Sequence, residues 1–269
     1  LAGLAAAYEL RKLGFDITVL EALQDRVGGR VYTYYFDRQR KLYNEFGPMR
    51  IPVTHETVWH YIKTFDLPAR PFIQYNPNGF VYLKNARVRN DPDGAGVARY
   101  IYPKYPLTDW VEENYPAALT YLYEIPGGMA RLPLAFHASF ANSCPYPGMR
   151  GEDLGKVRYR AGCLVNGIFL ESSGVKVGIR YQNHKTCDNI VEYFDYVICA
   201  IPFSTLRNIV IDPLFSGIKM RAIREVNYTP AQKSLLLLRE RFWERDWIAG
   251  GGSYTDLPYR RGLQNCQLG

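Results

Sequence analysis

The sequence is poor in the residues that build metal centres and disulfide scaffolds. It has five cysteines in 269 residues, an odd number, and no two of them form a C-x-x-C pair. Neither a disulfide framework nor a zinc site is indicated. The histidines are His55, His60, His137 and His184, and none has metal-ligand spacing. His55 and His60 are five apart, which on a helix turns them to different faces. No G-x-S-x-G elbow and no P-loop occurs, which removes the commonest serine-hydrolase and NTPase readings. The longest apolar runs, near residues 196–203 and 235–238, are far too short to cross a bilayer. There is no internal repeat and no low-complexity linker.

What is present suits a globular protein. Hydrophobic residues make up 47% of the chain and charged residues only 22%, which excludes wholesale disorder. The apolar content is enough for one large domain or two interleaved ones. The net charge of +7 is spread along the chain, so it reads as a mild preference for anions and not as a nucleic-acid face.

Residues 1–10 (LAGLAAAYEL) read as the inside of a helix, and Gly14 suits its C-terminal cap. Residues 15–21 (FDITVLE) form a β-rich run that ends in an acid. Helix, glycine turn, strand and acid are half of a βαβ unit, whose first strand and glycine turn are expected upstream of residue 1. Residues 54–65 carry Val58, Tyr61, Ile62 and Phe65 at helical spacing. Residues 72–75 and 80–83 flank Asn76-Pro77-Asn78-Gly79, which predicts a hairpin. Two strands are expected over 157–171 and 175–181, with a turn at 172–174. Residues 196–201 (YVICAI) have no polar face, which suits the buried interior of a parallel sheet. Residues 218–226 read as helix. Residues 234–238 read as another buried strand, with Lys233 at its mouth. The mixture of βαβ and hairpin signals favours α/β with an inserted β region.

Three features carry chemistry. Gly3 fits the third glycine of a G-x-G-x-x-G fingerprint. Glu21 follows it by 18 residues, at the end of the predicted strand, where an acid accepts hydrogen bonds from the ribose hydroxyls of an adenine dinucleotide. Then Val27-Gly28-Gly29-Arg30 offers two glycines that let the backbone approach a ligand. Its guanidinium can pair with phosphate oxygens in a bidentate way.

The segments LAGLAAAYEL, VLEA, RVGGRV, GPMRIP, EIPGGMARLP and YVICAIP together resemble the flavin-dependent amine oxidase superfamily. Within it, GPMRIP followed by THETVWHYIKTFDL is similar to the L-amino-acid oxidases. The resemblance implies an α/β fold: a Rossmann-like FAD-binding domain of the glutathione-reductase type, with a mixed-sheet substrate domain, incomplete at both ends. The expected division is 1–50 and 126–212 for the FAD-binding domain, and 51–125 and 213–269 for the substrate domain. It also implies FAD held by Gly3, Glu21, Gly28, Gly29 and Arg30, with Gly47, Pro48, Met49 and Arg50 passing near the flavin ring. Cys163 matches a strand residue whose backbone contacts the adenine. Arg50 matches the position whose guanidinium binds the substrate carboxylate, and Lys233 the lysine that holds a water near flavin N5.

The implied reaction is oxidation of an L-amino acid by dioxygen, giving a 2-oxo acid, ammonia and hydrogen peroxide. The implied partners are a small-molecule amino acid and dioxygen. A homodimer is an admissible assembly; no nucleic acid or membrane span is expected. The chain departs from the family pattern in three places. The first two fingerprint glycines and the C-terminal flavin-contacting segment lie outside it, and the stretch from Trp110 to Glu124 is short where the family has a helical insert. A polyamine or monoamine oxidase, and a non-catalytic dinucleotide-binding remnant, are the alternatives.

Overall fold

The computed structural model describes residues 1–83, 85–90, 95–100, 121–141, 146, 148–228, 232–255 and 262–263. In chain order the helices are α1 (Ala2–Arg11), α2 (Glu56–Thr64), α3 (Ala95–Tyr100), α4 (Arg131–Ser139), α5 (Phe203–Leu206) and α6 (Gly217–Glu225). The strands are β1 (Ile17–Glu21), β2 (Thr33–Tyr35), β3 (Tyr43–Glu45), β4 (Ile51–Pro52), β5 (Arg70–Pro71), β6 (Phe80–Leu83), β7 (Ala86–Arg89) and β8 (Leu122–Glu124). They continue with β9 (Val157–Ala161), β10 (Cys163–Leu170), β11 (Val177–Asn183), β12 (Asn189–Phe194), β13 (Val210–Asp212), β14 (Gly252–Thr255) and β15 (Gly262–Leu263). The chain divides into two compact units. One is Leu1–Val31 with Pro133–Gln232, the other Tyr32–Leu132 with Lys233–Gly269.

In the first unit, α1 buries Leu4, Ala7, Tyr8 and Arg11, the i, i+3, i+4, i+7 stripe of one helix face. Tyr8 meets Phe136 and Tyr146 edge-on, with centroids 5.5 and 4.8 Å apart. The buried Arg11 guanidinium is satisfied by backbone, donating to Gly155 O at 3.1 Å and Ser139 O at 2.9 Å. After α1 the chain turns at Gly14, whose N–H donates to Arg11 O, and enters β1. β1 pairs in parallel with β9, Glu21 standing opposite Ala161. A second sheet runs β12-β11-β10-β13, antiparallel except for the β10–β13 pair. Cys163, Ile179 and Tyr181 form one core of this unit, and Leu20 packs against them. Leu206, Ile209, Ile211 and Ile223 form another.

The second unit is built from small sheets. β2 and β3 pair antiparallel; β8 lies between β4 and β5; and a four-stranded sheet runs β15-β14-β6-β7. Tyr123 of β8 pairs with Ile51 on one side and with Pro71 on the other. Helix α2 packs beside β4 and β8. Its Trp59 Nε1 donates to Pro52 O at 3.1 Å, and its ring meets Tyr123 edge-on at 5.0 Å.

The structure corrects four expectations. Residues 76–79 do turn, Asn76 Oδ1 accepting from Asn78 N and Asn76 O from Gly79 N, but residues 72–75 are not a strand. The hairpin partner of β6 is β7, closed by the Leu83–Ala86 pair. Residues 196–201 form no strand, and Tyr196 and Ile198 are 85% and 61% exposed. Residues 234–238 likewise form none, Leu236 being 79% exposed. A continuous apolar run specifies burial only where a neighbouring strand is there to pair with it, and among the described residues neither run has one. The expected strand over 157–171 is broken at Gly162 into β9 and β10. Of the stretch from Trp110 to Glu124, residues 110–120 lie outside the described residues.

Phe136 is 1% exposed and among the largest fully buried side chains. Phe136→Ala removes a partner of Tyr8 and leaves a cavity, which should cost about 4 kcal/mol. The urea midpoint of the variant at a fixed denaturation slope measures it; a loss below about 1 kcal/mol means the site collapses and the packing described is not what supports α1.

Candidate functional site

The nucleotide-type features fall in the first unit. Glu21 ends β1, where one carboxylate oxygen accepts from Leu23 N at 3.0 Å. Cys163 opens β10 two residues beyond the Glu21–Ala161 pair and is buried; burial pushes its thiol up. Gly28 and Gly29 both have positive φ, 117° and 58°. A Cβ at Gly28 would lie 2.8 Å from Val31 O and 3.0 Å from Pro133 Cγ, so that position admits glycine alone. A Cβ at Gly29 would meet nothing within 4 Å, so the loop opens a space there. Arg26 donates to Gly29 O at 2.8 Å and holds the loop, while Arg30 is exposed. Gly3 lies against Ala200, at 3.4 Å from an added Cβ.

These residues fit a dinucleotide on three physical grounds. The loop at Gly29 has room for a ligand atom against its backbone. Arg30 supplies an exposed cation for phosphate. Glu21 ends its strand as a hydrogen-bond acceptor at the position where a ribose is read.

The second unit assembles the rest. β3 ends at Glu45, and Gly47, Pro48, Met49 and Arg50 lead from it into β4. Lys233, far along the chain, reaches this turn: its Nζ donates to Gly47 O at 2.6 Å and Glu45 O at 3.1 Å, and lies 3.6 Å from Met49 Sδ. The Lys233 amine is held below its ordinary range, first by burial and further by the Arg50 cation, against the opposing pull of Glu45. Arg50 and Lys233 are therefore electrostatic neighbours. Arg50 Nη1 donates to Gln74 Oε1 in a close hydrogen bond, and the guanidinium lies 6.0 Å from the Phe72 ring centroid.

Sequence reasoning did not single out the residue beneath this turn. Glu45 is 2% exposed. Its carboxyl accepts from the Thr33 hydroxyl at 2.9 and 3.0 Å and from Met129 N at 2.7 Å, while Thr33 Oγ1 accepts from Ala130 N at 3.0 Å. Tyr43 Oη accepts from Gly127 N at 2.9 Å, and Tyr35 donates to Gly127 O at 2.8 Å. The Thr33–Glu45 contacts lie within the β2–β3 pair, and the other bonds tie that pair to the turn over 126–130. The signal was an acid inside YNEFGP, two residues from a glycine and flanked by aromatic rings. Among the described residues no group of three or more His, Cys, Asp or Glu could hold a metal ion, and no helix is long and apolar enough to cross a membrane.

A parallel strand pair ending in an acid, followed by a glycine loop and an arginine, is the pattern expected of a dinucleotide-binding site. Comparison with known proteins specifies it. The family described as flavin containing amine oxidoreductase matches residues 1–122 and 108–266. The L-amino-acid oxidase of Crotalus adamanteus is 30% identical over 324 residues, covering 97% of this chain and 60% of that protein. That of Naja atra is 29% identical over 319 residues, covering 97% and 61%. Among solved structures, putrescine oxidase bound to putrescine aligns with a TM-score of 0.58 at 14% identity, covering 94% of this chain and 67% of that one. Cyclohexylamine oxidase from Brevibacterium oxydans aligns at 0.55 and 12% identity, covering 82% and 60%. At those identities the solved structures speak for the fold. The chain belongs to the flavin containing amine oxidoreductases, and its cofactor is FAD. It spans about three-fifths of the length of the curated snake relatives it matches.

Burial pushes the Glu45 carboxyl from an ordinary 4.5 up to about 7, and Glu124 adds to the rise; the Met129 N–H, the Thr33 hydroxyl and Lys233 oppose it. The folded protein therefore keeps this proton to about pH 7, whereas the unfolded chain releases it near pH 4.5. Glu45 thus favours the folded state below pH 4.5 and progressively loses that contribution as the pH rises through about 7. The loss is on the order of 3 kcal/mol. Glu45→Gln cannot titrate, so urea midpoints measured from pH 4.5 to pH 8 should lack this component. Parallel pH profiles for parent and variant would show that Glu45 titrates normally.

Proposed function

We propose that the chain belongs to an enzyme that oxidatively deaminates L-amino acids to 2-oxo acids, releasing ammonia and hydrogen peroxide, with dioxygen as the final acceptor. The observation that carries the proposal is that Lys233 Nζ bonds to Gly47 O and lies beside Met49 on the turn that ends at Arg50, at positions that match the lysine and substrate-binding positions of the L-amino-acid oxidases it resembles. The likeness to L-amino-acid oxidases over 97% of the chain supports the same reading. The first unit, with Gly3, Glu21, Gly28, Gly29, Arg30 and Cys163, is assigned to FAD. In the second, Gly47, Pro48, Met49 and Arg50 are assigned to the flavin ring, and Arg50 and Lys233 to the substrate.

FAD supplies the two-electron acceptor for the substrate Cα–H. The chain's own residues supply position and proton handling. An α-amino acid carries a planar carboxylate, and the fork of Arg50 can hold it by two charge-assisted hydrogen bonds. One N–H of Arg50 is committed to Gln74, and the guanidinium has further N–H groups to offer. A substrate held by its carboxylate has its Cα fixed in orientation, which is the main contribution of binding to a hydride-type transfer.

The substrate nitrogen must be neutral when it gives up electrons. A lysine held below its ordinary range is suited to take the ammonium proton, directly or through a water. As a neutral amine, Lys233 still has two N–H groups for Glu45 O and Gly47 O, which leaves its lone pair toward Met49. Thioether sulfur is the weakest of the three acceptors, so a water enters there at the smallest loss.

Arg50→Gln should raise KM for L-amino acids about 100-fold on the FAD-loaded protein, with little change in kcat. An unaltered KM sinks the assignment of the anchor. In the first unit, Glu21→Ala should release FAD on gel filtration without altering the choice among amino acids. Equal flavin content in parent and variant, read from the visible absorbance, would remove Glu21 from the cofactor site.

A further inference from the structure

The reading of Arg50 as a carboxylate anchor leaves open what holds the anchor itself, and the inference here rests on that reading. A guanidinium at the end of a long side chain has many rotamers. It becomes a fork of fixed direction only if something other than the substrate fixes it. The structure supplies one such partner. Gln74 Oε1 accepts from Arg50 Nη1, and the Phe72 ring lies near the guanidinium. Arg50 and Gln74 are both half-buried.

The backbone under both residues is pinned. Arg50 immediately precedes Ile51, which pairs with Tyr123 of β8. Phe72 immediately follows Pro71, which pairs with the same Tyr123, and Phe72 N donates to Leu122 O at 2.8 Å. Beyond Gln74 the segment is anchored again at Asn76, a buried residue that donates to Ala249 O at 3.0 Å. The bond between Arg50 and Gln74 therefore joins two segments held by one strand.

We propose that Gln74 is the positioning residue for Arg50, and that its neutral carboxamide makes the site select amines that carry a carboxylate. The choice of side chain matters chemically. An amide oxygen takes one N–H and fixes the plane of the guanidinium but leaves its positive charge whole. A carboxylate in the same place would fix the plane equally well and cancel the charge, and an incoming acid would then meet an ion pair that is already satisfied. One atom thus separates a site that draws acids from one that is indifferent to them.

The test compares L-phenylalanine with phenethylamine, the same molecule without its carboxylate, on the FAD-loaded parent, Gln74→Glu and Gln74→Ala. Calorimetric titration with benzoate supplies a readout free of turnover. Gln74→Glu should raise KM for L-phenylalanine about 100-fold and weaken benzoate to the same degree, while kcat and the phenethylamine parameters stay within about twofold. Gln74→Ala keeps the charge and loses only the alignment, so its effect on L-phenylalanine should be about 10-fold. Unchanged KM in both variants overturns the proposal, as does an equal loss for both substrates, which would mark Gln74 as merely structural. If Arg50→Gln weakens benzoate and the Gln74 variants do not, the anchor stands and the positioning role falls. A parent that binds no benzoate removes the anchor, and with it this inference.

Discussion

A carboxyl group that has been taken out of water has to be satisfied by what surrounds it, and the second unit is organised around one such group. Glu45 receives the Thr33 hydroxyl and the Met129 N–H through its side chain and offers its own carbonyl to Lys233. It therefore joins three parts of the chain that are distant in sequence: the β2–β3 pair, the glycine turn over 126–130, and the segment that starts at residue 233. The turn at Gly47–Pro48–Met49–Arg50 follows directly from Glu45 and inherits its position. A buried carboxyl left without partners would cost several kcal/mol, so the network is bound to form as a whole or not at all.

The same arrangement explains why two cations tolerate one another. Lys233 and Arg50 repel, and burial adds to the penalty on the lysine. Two carbonyl oxygens, from Glu45 and Gly47, receive the Lys233 nitrogen directly and compensate. Arg50 is met by a neutral amide instead, so among the described residues its charge is not spent in an ion pair. Arg50 thereby keeps a positive charge beside this turn. A charge of that kind recruits an anion, in keeping with the amino-acid substrate proposed.

The sequence announced the first unit better than the second, for a physical reason. Helix, turn, strand and acid over residues 1–21 are set by neighbours along the chain, and so is the requirement for glycine at Gly28. Such features are visible in a window of a few residues. Arg50 and Lys233 were singled out by resemblance alone, because no local pattern says that residue 233 folds back onto residue 47. Gln74 was passed over inside a segment read as one arm of a hairpin. The hairpin prediction failed because the turn at 76–79 is real but its strand partner is chosen elsewhere, at Leu83 and Ala86. The apolar runs at 196–201 and 234–238 show the opposite failure. Their composition asks for burial, but burial requires a neighbour that composition does not supply.

β8 is three residues long, yet it holds the segments of Arg50 and Gln74 side by side. Its alternation is strict: Leu122 and Glu124 are buried and Tyr123 between them is half-buried. Slipping the ladder by one residue would turn Leu122 outward and tear Glu124 from Arg70, to which it is joined at 2.6 Å. Misalignment is thus penalised by apolar burial and charge together. The direction of the Arg50 side chain is guarded by ordinary sheet patterning, and a change to Leu122 or Glu124 would blur it without altering Arg50 or Gln74 themselves.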